Sequence, residues 1–240
     1  MARPCRKLIR SLAAVLAAGL FLLSGCSDSS APEEYVPQVQ LAADLTYSRE
    51  LLGPDGEKLA VYSAALPQLQ EQTGTEAAHI NVFYKNEMTV HEADCESWFG
   101  IVSQKNYPDT RTNSFAYRLL DAPAGFLSVE RAMTVNGVVS HYFTEFFSLV
   151  SGWQRTFADL YSNTVKCETL IRDRVEAWCT GRQIPCDKLA ELSFGQLTAE
   201  FLPDGDLLRL YYDHQTLSDL QDEAVVVELP LAELEDFRLY

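Results

Sequence analysis

The sequence predicts an α+β protein: a mostly antiparallel sheet with one long N-terminal helix and a second helix before a C-terminal hairpin. Three observations carry this expectation. Apolar residues between Thr75 and Gln104 recur at helical spacing. From Asn113 onward the period drops to two, in runs rich in β-branched and aromatic residues. Turn signals at Gly53-Pro54-Asp55-Gly56, Asn136-Gly137 and Pro203-Asp204-Gly205 fall between alternating apolar runs, as hairpins require.

Ahead of that pattern stands a leader, residues 1–25. Arg3, Arg6, Lys7 and Arg10 form a positive start, and Leu12 to Leu23 is an apolar run of about a dozen residues. That run is shorter than the ~20 residues a permanent membrane helix needs and suits a signal peptide. Leu23-Ser24-Gly25-Cys26 resembles the lipobox of bacterial lipoproteins. The resemblance implies a diacylglycerol on the Cys26 thiol and cleavage before it, which makes Cys26 the first residue of the mature chain. Two acyl chains are what stable anchoring takes. Residues 26–40 are rich in Ser, Pro and acid with little to bury, so they read as a flexible acidic tether. Residues 41–240 are then one α+β domain, long enough for a proper core.

Within that domain, "LTYSRELLGPDGEKLAVYSAAL" predicts a hairpin over residues 45–66. In the helix that follows, Ile80, Tyr84, Met88, Cys95, Trp98, Phe99 and Val102 form the apolar stripe. "SFAYRLLDA", "FLSVERAMTVNGVV" and "HYFTEFFSLV" predict three strands. A second helix is expected over about 163–178, and a short one at "CDKLAELS". A last hairpin turns at Pro203-Asp204-Gly205, and "AVVVELP" is the final strand.

Charge narrows the partners. The leader carries four of the chain's 19 Lys and Arg and none of its 34 Asp and Glu. The mature chain therefore has 15 against 34, a net of −19. Such an excess of acid repels nucleic acid and anionic lipid or wall polymers, and favours a cationic partner. Export also places the four cysteines beyond Cys26 in a disulfide-permissive compartment. Cys179 at a helix end and Cys186 at the next helix start lie across a loop with Gly181 and Pro185, which makes Cys179–Cys186 the favoured bridge and leaves Cys95 with Cys167. With no C-x-x-C pair and no neighbouring histidine, no metal site is expected, and no cofactor.

Catalytic signals are sparse. His79 and His91 are twelve residues apart on the predicted helix and share no face. Ser140 and His141 are neighbours in a strand and point to opposite faces, which defeats direct proton transfer. Asp204 and Asp206 sit at a hairpin tip, where acids solvate a turn. The aromatics Tyr142, Phe143, Phe146, Phe147, Trp153 and Phe157 are divided by alternation between core and an exposed remainder that would mark a binding face.

The C-terminal half resembles a known family. In "FLSVERAMTVNGVVSHYFTEFFSLVSGWQRTFADLYS", Ser151-Gly152 matches the family's Thr-Gly turn, and Ala158-Asp159-Leu160-Tyr161 its closing Asp-Leu-Phe. The ending, "EFLPDGDLLRLYYDHQTLSDLQDEAVVVELPLAELEDF", is similar to the family's last hairpin and strand. The family it resembles is that of RsiV-like extracytoplasmic domains, also found ahead of PdaC-like peptidoglycan deacetylases, and the likeness spans roughly residues 45–237. It departs where the family's Gly-Gly-x-His is replaced by Asn136-Gly137-Val138-Val139-Ser140-His141. Neither an anti-sigma segment nor a deacetylase domain is expected here. The resemblance implies a non-enzymatic, lipid-anchored binding domain at the outer face of a cell membrane. Its expected ligand is a cationic lysozyme-like protein or a cell-wall component. The alternatives are a wall-active hydrolase or deacetylase using carboxylates and His141, and a structural envelope lipoprotein.

Overall fold

The first hairpin forms where its turn chemistry places it. In the computed structural model of the protein, which describes residues 39–72, 75–105 and 107–239, β1 (Leu45–Leu52) runs antiparallel to β2 (Lys58–Leu66). Gly56 takes a φ of +79° in the intervening turn. Along β2 the alternation is strict, and Ala60, Tyr62, Ala64 and Leu66 are buried. The leader and Cys26 lie outside the described residues.

Helix α1 (Ala77–Ser103) follows, close to its expected bounds. Its buried stripe is Ala77, Ile80, Asn81, Tyr84, His91, Cys95, Phe99 and Val102, with Met88 and Trp98 half-buried beside it. At 27 residues it is about 40 Å long. That length lets it act as a crossover, because the next strand, β3 (Arg111–Leu120), pairs parallel to β2. A parallel pair needs such a connection, whereas a hairpin cannot make one. β4 (Phe126–Val135) and β5 (Val138–Ser148) continue antiparallel, giving a five-stranded sheet in the order β1-β2-β3-β4-β5. Asn136 and Gly137 join them with φ of 51° and 84°, the pair of left-handed residues that a two-residue hairpin demands.

One face of this sheet packs on α1 through two apolar clusters, one around Tyr84, Leu127, Val129 and Phe147, the other around Tyr62, Cys95, Phe99 and Phe115. The other face meets a smaller antiparallel sheet of β6 (Phe201–Asp204), β7 (Leu207–Tyr212) and β8 (Val225–Pro230), through Phe146, Phe126, Leu120 and Tyr142. Adjacent residues on β7 separate the layers. Tyr211 reaches back to Glu130 of β4, while Tyr212 turns towards the helix that covers the small sheet. The fold is therefore α+β and mostly antiparallel.

Between the two sheets the chain forms α2 (Phe157–Leu160), α3 (Val165–Arg182) and α4 (Phe194–Leu197). Helix α3 is capped by Thr164, whose side chain accepts from the Cys167 N–H, and ends at Gln183 in the left-handed region. It runs one turn beyond expectation, so Cys179 lies inside it. The expected helix at "CDKLAELS" is a single 3-10 turn, Leu189–Glu191. Helix α4 arises from the Ser193 and Gln196 capping box, a signal too local to stand out in the sequence. The last hairpin turns one residue later than expected. Pro203 sits within β6, tolerated because β6 is an edge strand, and Gly205 takes φ +59°.

Candidate binding cleft

A cleft of about 700 Å³ opens where five chain segments converge beside the small sheet. Its floor is Phe126 stacked on Phe146, with centroids 4.9 Å apart and planes 15° from parallel, extended by Leu160, Tyr161 and Leu231. Pro123, Pro203 and Pro230 stiffen its edges. Backbone bonds hold the segments together: Gly205 N–H donates to Asp121 O at 2.6 Å, Leu231 N–H to Asp206 O at 2.8 Å, and Ser162 N–H to Phe237 O at 2.7 Å. Asp206 and Glu235 stand exposed on the rim, with Arg238 beside Glu235 at 3.4 Å. From Asp204 to the C terminus ten acids face two arginines. One of these, Arg209, is already held by Asp204 at 2.8 Å and Glu228 at 3.1 Å. The cleft was not legible in the sequence, since its walls come from five separated segments.

The His141 region is organised differently. Its Nδ1 lies 2.8 Å from Asp213 Oδ2, an ion pair when the imidazole is protonated. Ser140 Oγ instead donates to Met133 O on the neighbouring strand, at 3.3 Å. Asp213 also accepts from the Tyr142 N–H at 3.3 Å, and Glu200 accepts from the N–H and hydroxyl of Thr144 at 3.2 and 2.6 Å. Burial raises the Glu200 carboxyl above its usual range, partly offset by those Thr144 bonds. Further along, Arg155 N–H donates to Phe146 O and Ser148 N–H to Trp153 O. β5 is an outer strand, and these groups occupy the backbone positions that an added strand would pair with. The carboxylates around His141 therefore close a sheet edge.

Two ionic groups are buried in β4 and β5. Glu130 takes Arg118 Nε at 2.5 Å and the Tyr211 hydroxyl at 2.7 Å, tying the two sheets together. On the opposite face Arg131 sits between Glu145, at 2.6 Å, and Glu87 of α1, at 2.9 Å. Burial outweighs the attraction of Arg131 and pushes the Glu145 carboxyl up to about 7. His91, hydrogen-bonded to the Tyr62 hydroxyl at 2.9 Å, is held below its usual value by burial and by Arg131.

The cysteine expectations need correction. All four thiols, Cys95, Cys167, Cys179 and Cys186, are free. Cys95 is buried between α1 and the five-stranded sheet, Cys167 in the core on that sheet's other face, so a Cys95–Cys167 bridge is barred by the sheet itself. Cys179 and Cys186 do come together, thiol against thiol, without a bond between them. Among the described residues no group of three or more His, Cys, Asp or Glu is placed to hold a metal ion, and no helix is long and apolar enough to cross a membrane. Of the aromatics, Phe146, Phe147 and Phe157 are core, Tyr142 and Phe143 are half-buried, and Trp153 is 71% exposed.

No family model and no curated protein matches the chain. Solved structures do. It is similar to a member of the DUF3298 family from Bacteroides fragilis NCTC 9343, with TM-score 0.52 and 11% identity over 85% of this chain and 95% of that one. It is similar also to a DUF3298 family protein from Pseudomonas aeruginosa PAO1, with TM-score 0.58 and 11% identity over 84% of this chain and 95% of that one. The likeness extends over most of each chain, and what it shows is that this protein has the fold of these DUF3298 proteins.

Proposed function

We propose that this chain is a non-enzymatic domain, lipid-anchored through Cys26 at the extracytoplasmic face of a cell membrane, that binds a cationic, lysozyme-like protein at the C-terminal cleft. The observation that carries the reading is the cleft's composition: an apolar, aromatic floor under Asp206 and Glu235, in a segment where ten acids face two arginines. An apolar floor supplies contact area, and a rim of one charge sign steers a basic partner to it. The net charge of −19 that the mature chain carries once the leader is removed acts in the same direction from a distance. An anionic wall polymer would meet repulsion at the same rim. Binding is favoured over hydrolysis or deacetylation because the groups nearest to a catalytic set, His141, Asp213 and Glu200, are engaged with each other and with the β5 edge.

The test uses lysozyme as the cationic probe, titrated at low and at physiological salt. The expected result is binding at low salt that weakens at least about tenfold at physiological salt, since rim charges are screened beyond ~8 Å there. The Asp206→Asn, Glu235→Gln variant is expected to weaken low-salt binding further. Absence of binding at low salt, or binding indifferent to both salt and these substitutions, overturns the reading.

A further inference from the structure

A second concave surface lies at the opposite side of the five-stranded sheet from that cleft, beside the first turns of α1. It is an apolar groove of about 450 Å³ lined by Val82, Phe83 and Phe147, with Trp153 forming its outer wall. Trp153 is 71% exposed, Val150 65% and Val82 53%. Val82 and Trp153 line the groove together, and Val150 stands exposed on the Leu149–Trp153 loop, which is bound to the start of α1. Glu76 N–H donates to Leu149 O at 2.9 Å, and Gly152 packs directly on the Glu76 and His79 side chains. An indole standing in solvent beside Val82, with a second exposed valine on its own loop, is an arrangement a protein surface seldom keeps without a use.

The start of the described chain lies at the same place. Gln40 O accepts from Gln70 N–H at 2.9 Å, and Leu41 forms a bridge with Leu69. The backbone N–H and C=O of Leu69 are in turn bound by the side-chain amide of Asn81, at 2.8 and 2.9 Å. Asn81 precedes Val82. The chain thus enters the fold against the same two turns of α1 that carry the exposed patch, within about 11 Å along the helix axis. Twelve residues separate Cys26 from Val39, which bounds the distance from the lipidated cysteine to this end of the domain at about 45 Å even if fully extended.

From this juxtaposition we infer that Val82, Val150 and Trp153 form a membrane-contacting surface, which seats the domain on the lipid bilayer that holds its anchor. The inference rests on the lipid anchoring of Cys26 proposed above. Trp is the side chain whose apolar body and single N–H donor suit the headgroup boundary, and valines beside it add apolar area without charge. Seating by this end leaves the acidic cleft, on the far side of the sheet, facing away from the membrane and open to a partner.

The experiment reconstitutes the mature lipidated chain on phosphatidylcholine vesicles and on the same vesicles with brominated acyl chains, which quench tryptophan at the boundary. Flotation first shows whether the chain is anchored. For a floating chain, the expected result is loss of tryptophan emission on brominated vesicles and disappearance of that loss in Trp153→Phe. Val150→Asp, which keeps the indole and substitutes an exposed loop side chain, is expected to abolish the quenching while the chain still floats. A chain that floats with unquenched tryptophan overturns this inference alone, as does quenching that survives in Trp153→Phe and so arises from Trp98 or Trp178. A chain that does not float overturns the anchor and the inference with it.

Discussion

The Arg131 guanidinium and the Glu145 carboxylate meet at 2.6 Å across β4 and β5, each side chain only 3% exposed, and one Glu145 oxygen has no hydrogen-bond partner. A buried ion pair gains little over apolar residues of the same volume, but breaking it strands a charge at a cost of about 3–5 kcal/mol. Arg131→Met is therefore expected to destabilise by about that amount, whereas Arg131→Met with Glu145→Leu recovers most of the loss. Urea denaturation of the two singles and the double decides it. A double variant as unstable as the sum of the singles would contradict the stranded-charge account.

The same carboxylate gives a pH signature. Its folded-state value is raised from 4.5 to about 7, so between those limits the folded chain holds a proton that the unfolded chain releases. The contribution of Glu145 to stability is then fully present below about pH 4.5 and lost as pH rises through 7, amounting to about 3 kcal/mol at 1.36 kcal/mol per unit. Other carboxylates titrate in the same range, so the useful quantity is the wild-type stability minus that of Glu145→Gln. That difference is expected to fall between pH 5 and pH 8; a flat or rising difference would sink the assignment.

These charged residues also mark where the sequence stopped being readable. Hairpins at Gly53–Gly56 and Asn136-Gly137 were legible because turn chemistry is local, and α1 because its stripe repeats over seven turns. In β4, "FLSVERAMTV", Glu130 and Arg131 interrupt the alternation, and both are buried because β4 is sandwiched between α1 and the small sheet. Nothing local says that such charges have partners 14 to 81 residues away in Glu145 and Tyr211. The parallel pairing of β2 with β3 was equally hidden, since alternation records which face is buried and not the direction of the neighbouring strand. The cleft follows the same rule: its floor was visible as apolar residues, its concavity only once distant segments had met.

Gly152 gives a sharper local test. It takes φ +70°, and a Cβ there would stand 2.8 Å from His79 Cβ and 2.9 Å from Glu76 Cβ, both on helix-start backbone that cannot swing aside. Gly152→Ala adds left-handed strain of ~1–2 kcal/mol to an overpacking cost of ~1–3 kcal/mol. A loss of about 2–5 kcal/mol is expected in thermal or urea unfolding, together with displacement of the Trp153 loop from α1, read as a changed emission from Trp153. A neutral Gly152→Ala would mean that the loop is not held where it stands.

The Cys179 and Cys186 thiols touch across the end of α3, and their chemistry is set by unequal burial. Cys179 is fully buried in the α3 core, and burial pushes its thiol up to about 12, so it supplies almost no thiolate at neutral pH. Cys186 is half-buried and is the sulfur an external disulfide reagent reaches first. Oxidised glutathione is then expected to form a mixed disulfide at Cys186, which Cys179 resolves slowly into an intramolecular bridge. Closing this ring of eight residues restricts the unfolded chain and adds about 2.5 kcal/mol on the loop-entropy estimate, less any strain in the last turn of α3. Cys95 and Cys167, separated by the sheet, are expected to remain thiols throughout. Alkylation of the oxidised protein followed by peptide mass spectrometry reads all four sites at once. A persistent glutathione adduct on Cys186 would show that the two sulfurs cannot reach bonding geometry, and a bridge involving Cys95 would contradict the layering of the fold.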